Sequence, residues 1–171
     1  MQLVKTGRDN LLRPLQIVSG IVERRHTLPI LANILIRKEA QAVSFLSTDT
    51  EIQIVTHAEI GTNEENTTTT VAARKLLDIL RALPDTSDIA ISLNDKRLVV
   101  QAGKSRFSLQ TLPADDFPIV SQPAEYETSV TVSQKALKNL LGMVYFSMAQ
   151  QDIRYYLNGL LLQVDGNKMT A

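Results

Sequence analysis

The sequence predicts an α+β fold assembled from repeated strand–helix–strands units. At three places, near residues 1, 67 and 128, a short strand-like run leads directly into an amphipathic helical segment. The stretches between these helices are short, rich in Val, Ile, Leu and Thr, and mostly alternating. The repeat length is roughly sixty residues, longer than most solenoid periods. Because 44% of the 171 residues are apolar, the chain is able to bury a core.

The first unit begins with a predicted strand, Met1–Lys5, and continues into a helix. The apolar side of that helix carries Leu11, Leu12, Leu15, Val18 and Val22. Thr6 and Asp9 have the spacing of a capping box at its start, with Asp in place of the usual Glu. Pro14 lies inside the pattern and lacks a backbone donor, which predicts a kink.

The second and third units repeat the same order. The strand Thr67–Ala72 leads into a helix over Arg74–Leu83. The strand Thr128–Val132 leads through Ser133, the expected N-cap, into a helix from about Gln134 to Met143. Each helix therefore follows a strand without a long connection.

Short strands are predicted between the helices and after the third one. Asn94-Asp95 and Asp165-Gly166-Asn167 each separate two such runs and suit tight hairpins. The predicted strands are Ala32–Arg37, Val43–Ser47, Ile52–His57, Ile89–Leu93, Leu98–Ala102, Arg106–Thr111 and Leu157–Val164.

Two units are expected to close one domain over residues 1–122, and the third to begin an incomplete second domain over 123–171. Pro113–Pro123, with Pro118 inside it, is the predicted linker. Lys168–Ala171 is only the start of a return strand, so we expect this chain to be a fragment of a longer protein.

The charge balance is zero overall but uneven along the chain. The helical segments 8–25, 74–82 and 134–154 carry ten Lys or Arg and four Asp or Glu, so the remainder is acidic. A basic helical side suits a phosphate backbone that is approached without base recognition. The alternative is that exposed helix faces commonly carry Lys and Arg, and on charge alone this alternative is the stronger.

The residues that catalysis usually needs are scarce. The chain has no cysteine, its two histidines lie on different elements, and it has no Gly-rich phosphate loop or nucleophile elbow. Asp49 and Glu51 have strand spacing and would share a face. A hydrolase acting through them and Asp116 would lack a nucleophile and a base. We therefore expect no catalytic residue, no cofactor and no metal site.

No apolar run reaches membrane-spanning length, and a cytoplasmic location fits the composition.

Two polar loops are candidate phosphate contacts. Arg24 and Arg25 follow the first helix, where they either reach a phosphate or pair with the helix C-terminus. Gln150 and Gln151 follow the third helix and are able to donate to phosphate oxygens. The alternative is an ordinary turn, and from the residues alone this alternative is the stronger.

The run Arg106-Phe107-Ser108-Leu109 alternates, which places Phe107 and Leu109 on one face. If this strand is a sheet edge, it can pair with another chain beside apolar anchors. The alternative is that both side chains belong to the core.

Several stretches, taken in order, resemble the bacterial sliding clamp family, the beta subunits of DNA polymerase III. The matching stretches are Arg25-His26-Thr27-Leu28-Pro29-Ile30-Leu31, Thr48-Asp49-Thr50-Glu51, Ala73-Arg74-Lys75-Leu76-Leu77-Asp78, Ser105-Arg106-Phe107-Ser108-Leu109, Leu112-Pro113, Asp116-Phe117-Pro118, Phe146-Ser147-Met148-Ala149 and Arg154-Tyr155-Tyr156-Leu157-Asn158-Gly159. They span nearly the whole chain, and the family continues beyond it through the rest of a second domain and a third.

The resemblance implies the DNA-clamp fold, with helices on one side of curved antiparallel sheets. It implies a head-to-tail homodimeric ring of three-domain subunits that encircles duplex DNA. It also implies roles for individual residues. DNA contacts are assigned to Arg24, Arg25, Gln150 and Gln151; the ring interface to Phe107, Leu109, Arg106, Lys75 and Arg97; and one wall of a pocket for clamp-binding peptides to Arg154, Tyr156 and Leu157.

The function implied is that of a non-catalytic processivity factor. Such a ring slides on DNA without sequence preference, and its peptide pocket tethers the replicative polymerase, the clamp loader and other partners. The alternative is a protein-interaction module that uses an exposed sheet edge and binds no DNA.

Overall fold

The computed structural model describes residues 1–22, 28–62, 65–120 and 129–171. The chain divides into two compact units, Met1–Gln122 and Pro123–Ala171, and each is described by itself below.

In the described part of the first unit, the order strand, helix, three strands occurs twice. The first set is β1 (Gln2–Gly7), α1 (Arg8–Val18), β2 (Asn33–Glu39), β3 (Ala42–Thr48) and β4 (Gln53–Glu59). The second set is β5 (Thr67–Ala72), α2 (Ala73–Ala82), β6 (Asp88–Asn94), β7 (Arg97–Ala102) and β8 (Ser105–Gln110).

The two sets are interlocked because each gives its first strand to the other set's sheet. One sheet has the order β1-β6-β7-β8 and the other the order β4-β3-β2-β5, and all pairs are antiparallel. Val4 of β1 pairs with Ile91 of β6, and Leu35 of β2 pairs with Thr70 of β5. Neither set has a complete sheet without the other.

Both helices lie on the same face of the β4-β3-β2-β5 sheet and pack against each other. Leu11 and Leu15 of α1 and Leu76 and Leu80 of α2 are fully buried in one core that includes side chains of both sheets. Burying a leucine is worth about 1.5–3 kcal/mol relative to leaving it exposed. The helices are thus held mainly by their apolar faces.

The start of α1 differs from the predicted capping box. Thr6 belongs to β1, where it pairs with Ile89, so the cap position falls on Gly7, which makes no side-chain cap hydrogen bond. The Nδ2 atom of Asn10 donates to Thr6 Oγ1 at 2.9 Å instead. The helix runs through Pro14 and ends at Val18, short of the predicted Val22, in a 3-10 turn over Ser19–Ile21.

The prediction that Asp49 and Glu51 share a strand face is wrong, because both precede β4 in a turn. Asp49 Oδ1 accepts hydrogen bonds from the backbone N–H groups of Glu51 (2.9 Å) and Ile52 (2.7 Å). Thr50, between them, has a positive φ of 84°. The Asp49 carboxylate therefore shapes this turn. In the parts of the chain that the structure describes, no three His, Cys, Asp or Glu residues are grouped so as to hold a metal ion.

Residues 112–120, here called the strap, cross the face of the β4-β3-β2-β5 sheet that is opposite the helices. At β5, Thr70 Oγ1 donates to the Leu112 carbonyl (2.9 Å) and accepts from the Leu112 N–H (3.2 Å). Phe117 is buried against Leu35 and Leu46 in a small separate core. At β4, the Val120 N–H donates to Gln53 Oε1 at 2.9 Å. Much of the predicted linker is therefore packed on the sheet.

The second unit contains α3 (Gln134–Val144) and a hairpin of β9 (Gln163–Asp165) and β10 (Lys168–Thr170). Ser133 is the N-cap residue, as predicted, but makes no side-chain cap hydrogen bond. Two predicted strands differ. Residues 129–132 form no strand, and Thr128 lies outside the described residues. The predicted strand over Leu157–Val164 is confined to its last residues, because Tyr155–Asn158 forms a 3-10 turn.

The two units differ in how far their side chains are buried. None of the described residues of 129–171 is buried, whereas the first unit has a continuous core. Among the described helices, none is long and apolar enough to cross a membrane.

Candidate functional site

The strand β8 forms one edge of its sheet, as that sheet is described. Leu109 is buried opposite Leu98, and Phe107 lies opposite Val100 and packs against the core. Both side chains therefore point inward from an edge strand, so the core interpretation of their burial is correct. An edge position remains compatible with pairing to another chain.

A groove of about 390 Å³ lies beside this edge. It brings together three of the five ring-interface candidates, Lys75, Arg97 and Leu109. Arg106 is exposed, and neither it nor Phe107 lines the groove. Sequence reasoning missed the other lining residues, which are Asn33, Ala72, Ser108, Gln110 and Leu112.

Positive charge at this groove is uncompensated within the described residues, because neither Lys75 nor Arg97 forms an ion pair there. Leu109, of which only 9% is exposed, adds a small apolar patch beside the two cations. The groove therefore suits a partner surface that combines acidic and apolar side chains.

A second groove, of about 220 Å³, lies between the end of α1 and α2. Gln16, Arg74 and Arg81 line it together with Asp78. Arg74 Nη2 also donates to the Val22 carbonyl at 2.9 Å. Val22 is the last described residue before 23–27, so Arg74 fixes the point from which Arg24 and Arg25 depart. Those two arginines lie outside the described residues.

Arg8 contributes less to a basic helical face than its charge suggests. Its guanidinium contacts the carboxylates of Asp9 (2.8 Å) and Asp85 (2.6 Å) and donates to the Leu83 carbonyl (2.8 Å). The hydrogen bond to Asp9 is the main cause that raises the pKa of Arg8 above its usual value. Arg8 therefore connects the start of α1 to the residues that follow the end of α2.

Gln150 and Gln151 are exposed on a loop whose backbone is fixed by hydrogen bonds. The side chain of Asn158 accepts from the Asp152 N–H and donates to the Asp152 carbonyl, both at 3.0 Å. The Ala149 N–H donates to the Leu157 carbonyl at 2.9 Å. Gln151 has a positive φ of 58°. The loop thus holds two exposed amide side chains in a defined position.

The three pocket-wall candidates follow on the same loop. Arg154 donates from Nε and Nη2 to the two carboxylate oxygens of Asp152, at 3.1 and 3.0 Å. This side-chain hydrogen bond is the main cause that lowers the pKa of Asp152 and raises that of Arg154. Tyr156 is exposed, with its ring edge-on to Tyr155, and Leu157 is half-buried.

The role of Asp152 was missed from the sequence. The sequence signal for this role is the spacing Asp-x-Arg in a loop. With this spacing, the carboxylate accepts hydrogen bonds from both the backbone N–H and the guanidinium of the residue two positions later. The Asp152 carboxylate therefore holds the Arg154 side chain in a defined orientation.

Comparison with known proteins identifies relatives along almost the whole chain. The family model for the N-terminal domain of the DNA polymerase III beta subunit matches residues 2–121, and the model for its central domain matches residues 131–171. The beta sliding clamp of Pseudomonas putida KT2440 is 44% identical over 164 residues, which is 96% of this chain and 44% of that protein. That of Escherichia coli K12 is 44% identical over 162 residues, 95% of this chain and 44% of that protein. The chain thus spans less than half the length of these curated relatives.

Solved structures agree with the sequence matches. The DNA polymerase III subunit beta from Pseudomonas aeruginosa superposes with a TM-score of 0.92 at 44% identity, covering 99% of this chain and 45% of that one. A sliding clamp from the same species bound to griselimycin gives 0.91 at 43% identity, covering 98% and 45%. The Caulobacter crescentus pol III beta structure gives 0.87 at 37% identity, covering 99% and 45%. The predicted α+β fold class is confirmed.

Proposed function

Because this chain belongs to the family of DNA polymerase III beta subunits, we propose that it is part of a sliding clamp. Residues 1–122 are its first clamp domain and 123–171 belong to its second. The complete protein is a cytoplasmic, non-catalytic processivity factor that encircles duplex DNA and tethers the replicative polymerase. The observation that carries the proposal is the ordered match of two successive domains of one ring protein.

The DNA-facing surface is proposed to be the helical side and its loops. Both helices of the first unit lie on one face of the β4-β3-β2-β5 sheet, and Arg74 and Arg81 are exposed there. Arg24, Arg25, Gln150 and Gln151 are the loop contacts. Arginines and amides that touch only phosphate oxygens position a protein on DNA without reading its sequence, which is what a sliding ring requires.

The ring interface is proposed to be the β8 edge and its groove. Lys75 and Arg97 lie there beside Leu109 and, within the described residues, form no ion pair. Acidic and apolar side chains of a second clamp subunit complement this surface. Phe107 supports it from the core side, and Arg106 adds a third exposed cation.

The peptide-binding surface is proposed to include Arg154, Tyr156 and Leu157. Asp152 orients Arg154 through two hydrogen bonds, and Tyr156 offers an exposed ring. An oriented cation next to apolar surface suits peptides from the polymerase and the clamp loader.

Topological binding tests the ring directly. The complete clamp containing this chain, loaded onto circular plasmid DNA, is expected to stay bound through a high-salt wash and to leave once the plasmid is cut. Equal loss from circular and linear DNA would refute encirclement. It would favour the alternative, an interaction module that uses the β8 edge without DNA.

Residue-level DNA contact is tested in the same complete clamp. Arg25→Ala is expected to weaken binding equally for unrelated DNA sequences and to reduce the salt slope by about one unit. Gln151→Ala is expected to weaken binding equally as well, with little change in the slope because glutamine is neutral. Strong sequence dependence of either loss would contradict the backbone-contact proposal.

A further inference from the structure

The face of the β4-β3-β2-β5 sheet that the strap crosses carries two adjacent rows of side chains. One row is apolar, because Leu35, Leu46 and Val55 lie side by side in the strand register. The next row is polar and contains Arg37, Ser44 and His57 in the same three strands. This face is opposite the helices, so the rows are independent of the proposed DNA surface.

A groove of about 390 Å³ follows these rows. Ile119 and Val120 of the strap form one wall, and the Val120 N–H is fixed to Gln53 Oε1 at 2.9 Å. Val55 is 37% exposed and Ile119 is 49% exposed, so apolar surface is open to solvent beside a cation. Within the described residues, Arg37 forms no ion pair.

We propose that this groove binds an extended peptide segment of a partner protein, in which an apolar side chain lies two positions from a carboxylate. The apolar side chain packs on the exposed surfaces of Val55 and Ile119. The carboxylate accepts hydrogen bonds from the guanidinium of Arg37, and His57 supplies a further donor.

The geometry of the strands sets the spacing that a bound peptide needs. Leu35 and Arg37 are two residues apart in β2, so the rows are separated by roughly 6.6 Å, two residues at about 3.3 Å each. In an extended peptide, side chains two positions apart point the same way and have this same separation, whereas adjacent side chains point apart. A peptide aligned with the strands therefore reaches both rows only with the i, i+2 spacing.

Charge in the following row fixes the register. Glu39 and Glu59 lie beyond Arg37 and His57, on either side of Ala42. A ligand carboxylate shifted by one row would meet two like charges, and like-charge contacts disfavour that placement. The carboxylate is therefore selected for the Arg37 row.

Binding of defined peptides to this chain tests the proposal. The probe is acetyl-Ala-Leu-Ser-Asp-Ala-amide, and the matched control is acetyl-Ala-Leu-Asp-Ser-Ala-amide, which has the same composition but adjacent Leu and Asp. In ¹H–¹⁵N NMR titrations, the probe is expected to shift the amides of Arg37, Val55 and Val120 and to bind about threefold more tightly than the control.

Variants identify the contact that gives this preference. Arg37→Gln is expected to abolish the difference between the probe and its Asn analogue, acetyl-Ala-Leu-Ser-Asn-Ala-amide. Lys5→Gln, an exposed cation on β1 of the other sheet, is expected to leave it unchanged. Val55→Thr keeps the side-chain shape and is expected to weaken probe and Asn analogue alike.

Three outcomes would overturn the proposal. They are shifts spread over the whole surface, equal binding of the spaced and adjacent peptides, and equal binding of hexanoate, which would indicate a site for small apolar carboxylates. Since the site lies outside the proposed DNA and ring surfaces, none of these outcomes bears on encirclement of DNA.

Discussion

Each of the two units of this chain is stabilised by a different kind of interaction. The first unit interlocks two strand–helix–strands sets around a core in which Leu11, Leu15, Leu76 and Leu80 are fully buried. In the second, the described residues bury no side chain, and the loop after α3 keeps its shape through hydrogen bonds around Asp152 and Asn158. In this chain, the helices of the first unit are therefore positioned by apolar burial and the loop after α3 by polar side chains.

The contrast has a functional side. Apolar burial holds the first unit's helices in place and leaves their outer faces free for Arg74 and Arg81. A polar loop can instead expose Gln150, Gln151 and Tyr156 together, because its order does not require burying them. Substitutions should therefore act through cavities in the first unit and through lost hydrogen bonds in the second.

The largest effect is expected from a buried leucine. Leu76→Ala should lower the free energy of unfolding by about 2–5 kcal/mol, because it removes buried methyl groups and leaves a cavity. The matched change Leu140→Ala on α3, at a half-buried position, should cost less than about 1 kcal/mol. Denaturant unfolding of both variants measures this, and similar losses would remove the distinction between the units.

The second largest effect on stability is expected from a polar residue, Asn158. Asn158→Ala removes two hydrogen bonds to the backbone of Asp152 and should destabilise the loop by about 1–3 kcal/mol. Hydrogen exchange at the Asp152 amide should accelerate by about tenfold or more, since 1.4 kcal/mol corresponds to tenfold. Asn139→Ala, on the exposed side of α3, is the control and should leave that amide unchanged.

The two units also differ in how well sequence predicts them. Alternation and 3.6-residue periodicity place the strands and α2 of the first unit within one or two residues, because burial creates those patterns, whereas α1 ends at Val18, four residues before the predicted Val22. The start of α1 is an exception, since pairing of Thr6 with Ile89 is a tertiary contact that moves the cap to Gly7. The exchange of β1 and β5 between sheets leaves no local sequence signal either.

The second unit shows where periodicity misleads. Leu157–Val164 has a strand-like composition, but Leu157 uses its carbonyl to close the loop with Ala149. Of the candidate site residues, Arg154, Tyr156 and Leu157 lie together because they are close in sequence, although Leu157 is the predicted start of a strand. The meeting of Lys75, Arg97 and Leu109 in one groove depends on how α2, β7 and β8 pack, which no local pattern encodes.

Acid should weaken the second unit's loop through Asp152. The hydrogen bond from Arg154 lowers the pKa of Asp152 in the folded chain, so the ionised form favours the folded loop. This contribution is complete above the usual Asp pKa of about 3.9 and is lost as the pH falls through the lower, folded value. Carbon-detected NMR titration should show a depressed midpoint for Asp152.

The control for this titration is a variant that lacks the Arg154 cation. Arg154→Gln should return the Asp152 midpoint toward its usual value, because it removes the side-chain hydrogen bond that is the main cause of the lowered pKa. An unchanged Asp152 midpoint in the variant would mean that the backbone N–H of residue 154, and not its side chain, sustains the shift.

The smallest expected effects come from glycine substitutions at two neighbouring glutamines. Their effects on the stability of the loop are expected to have opposite signs. Gln151 has a φ of 58°, a conformation that glycine adopts without steric cost, whereas Gln150 does not have a positive φ. Gln151→Gly should therefore stabilise the loop slightly, by about 0.5 kcal/mol after the entropy that glycine adds to the unfolded chain, and Gln150→Gly should destabilise it by a similar amount. Exchange at the Asp152 amide reports both changes. Because Gln151→Gly keeps the loop ordered, any loss of DNA binding in the complete clamp then belongs to the missing amide side chain; unaltered binding would remove Gln151 from the proposed contacts.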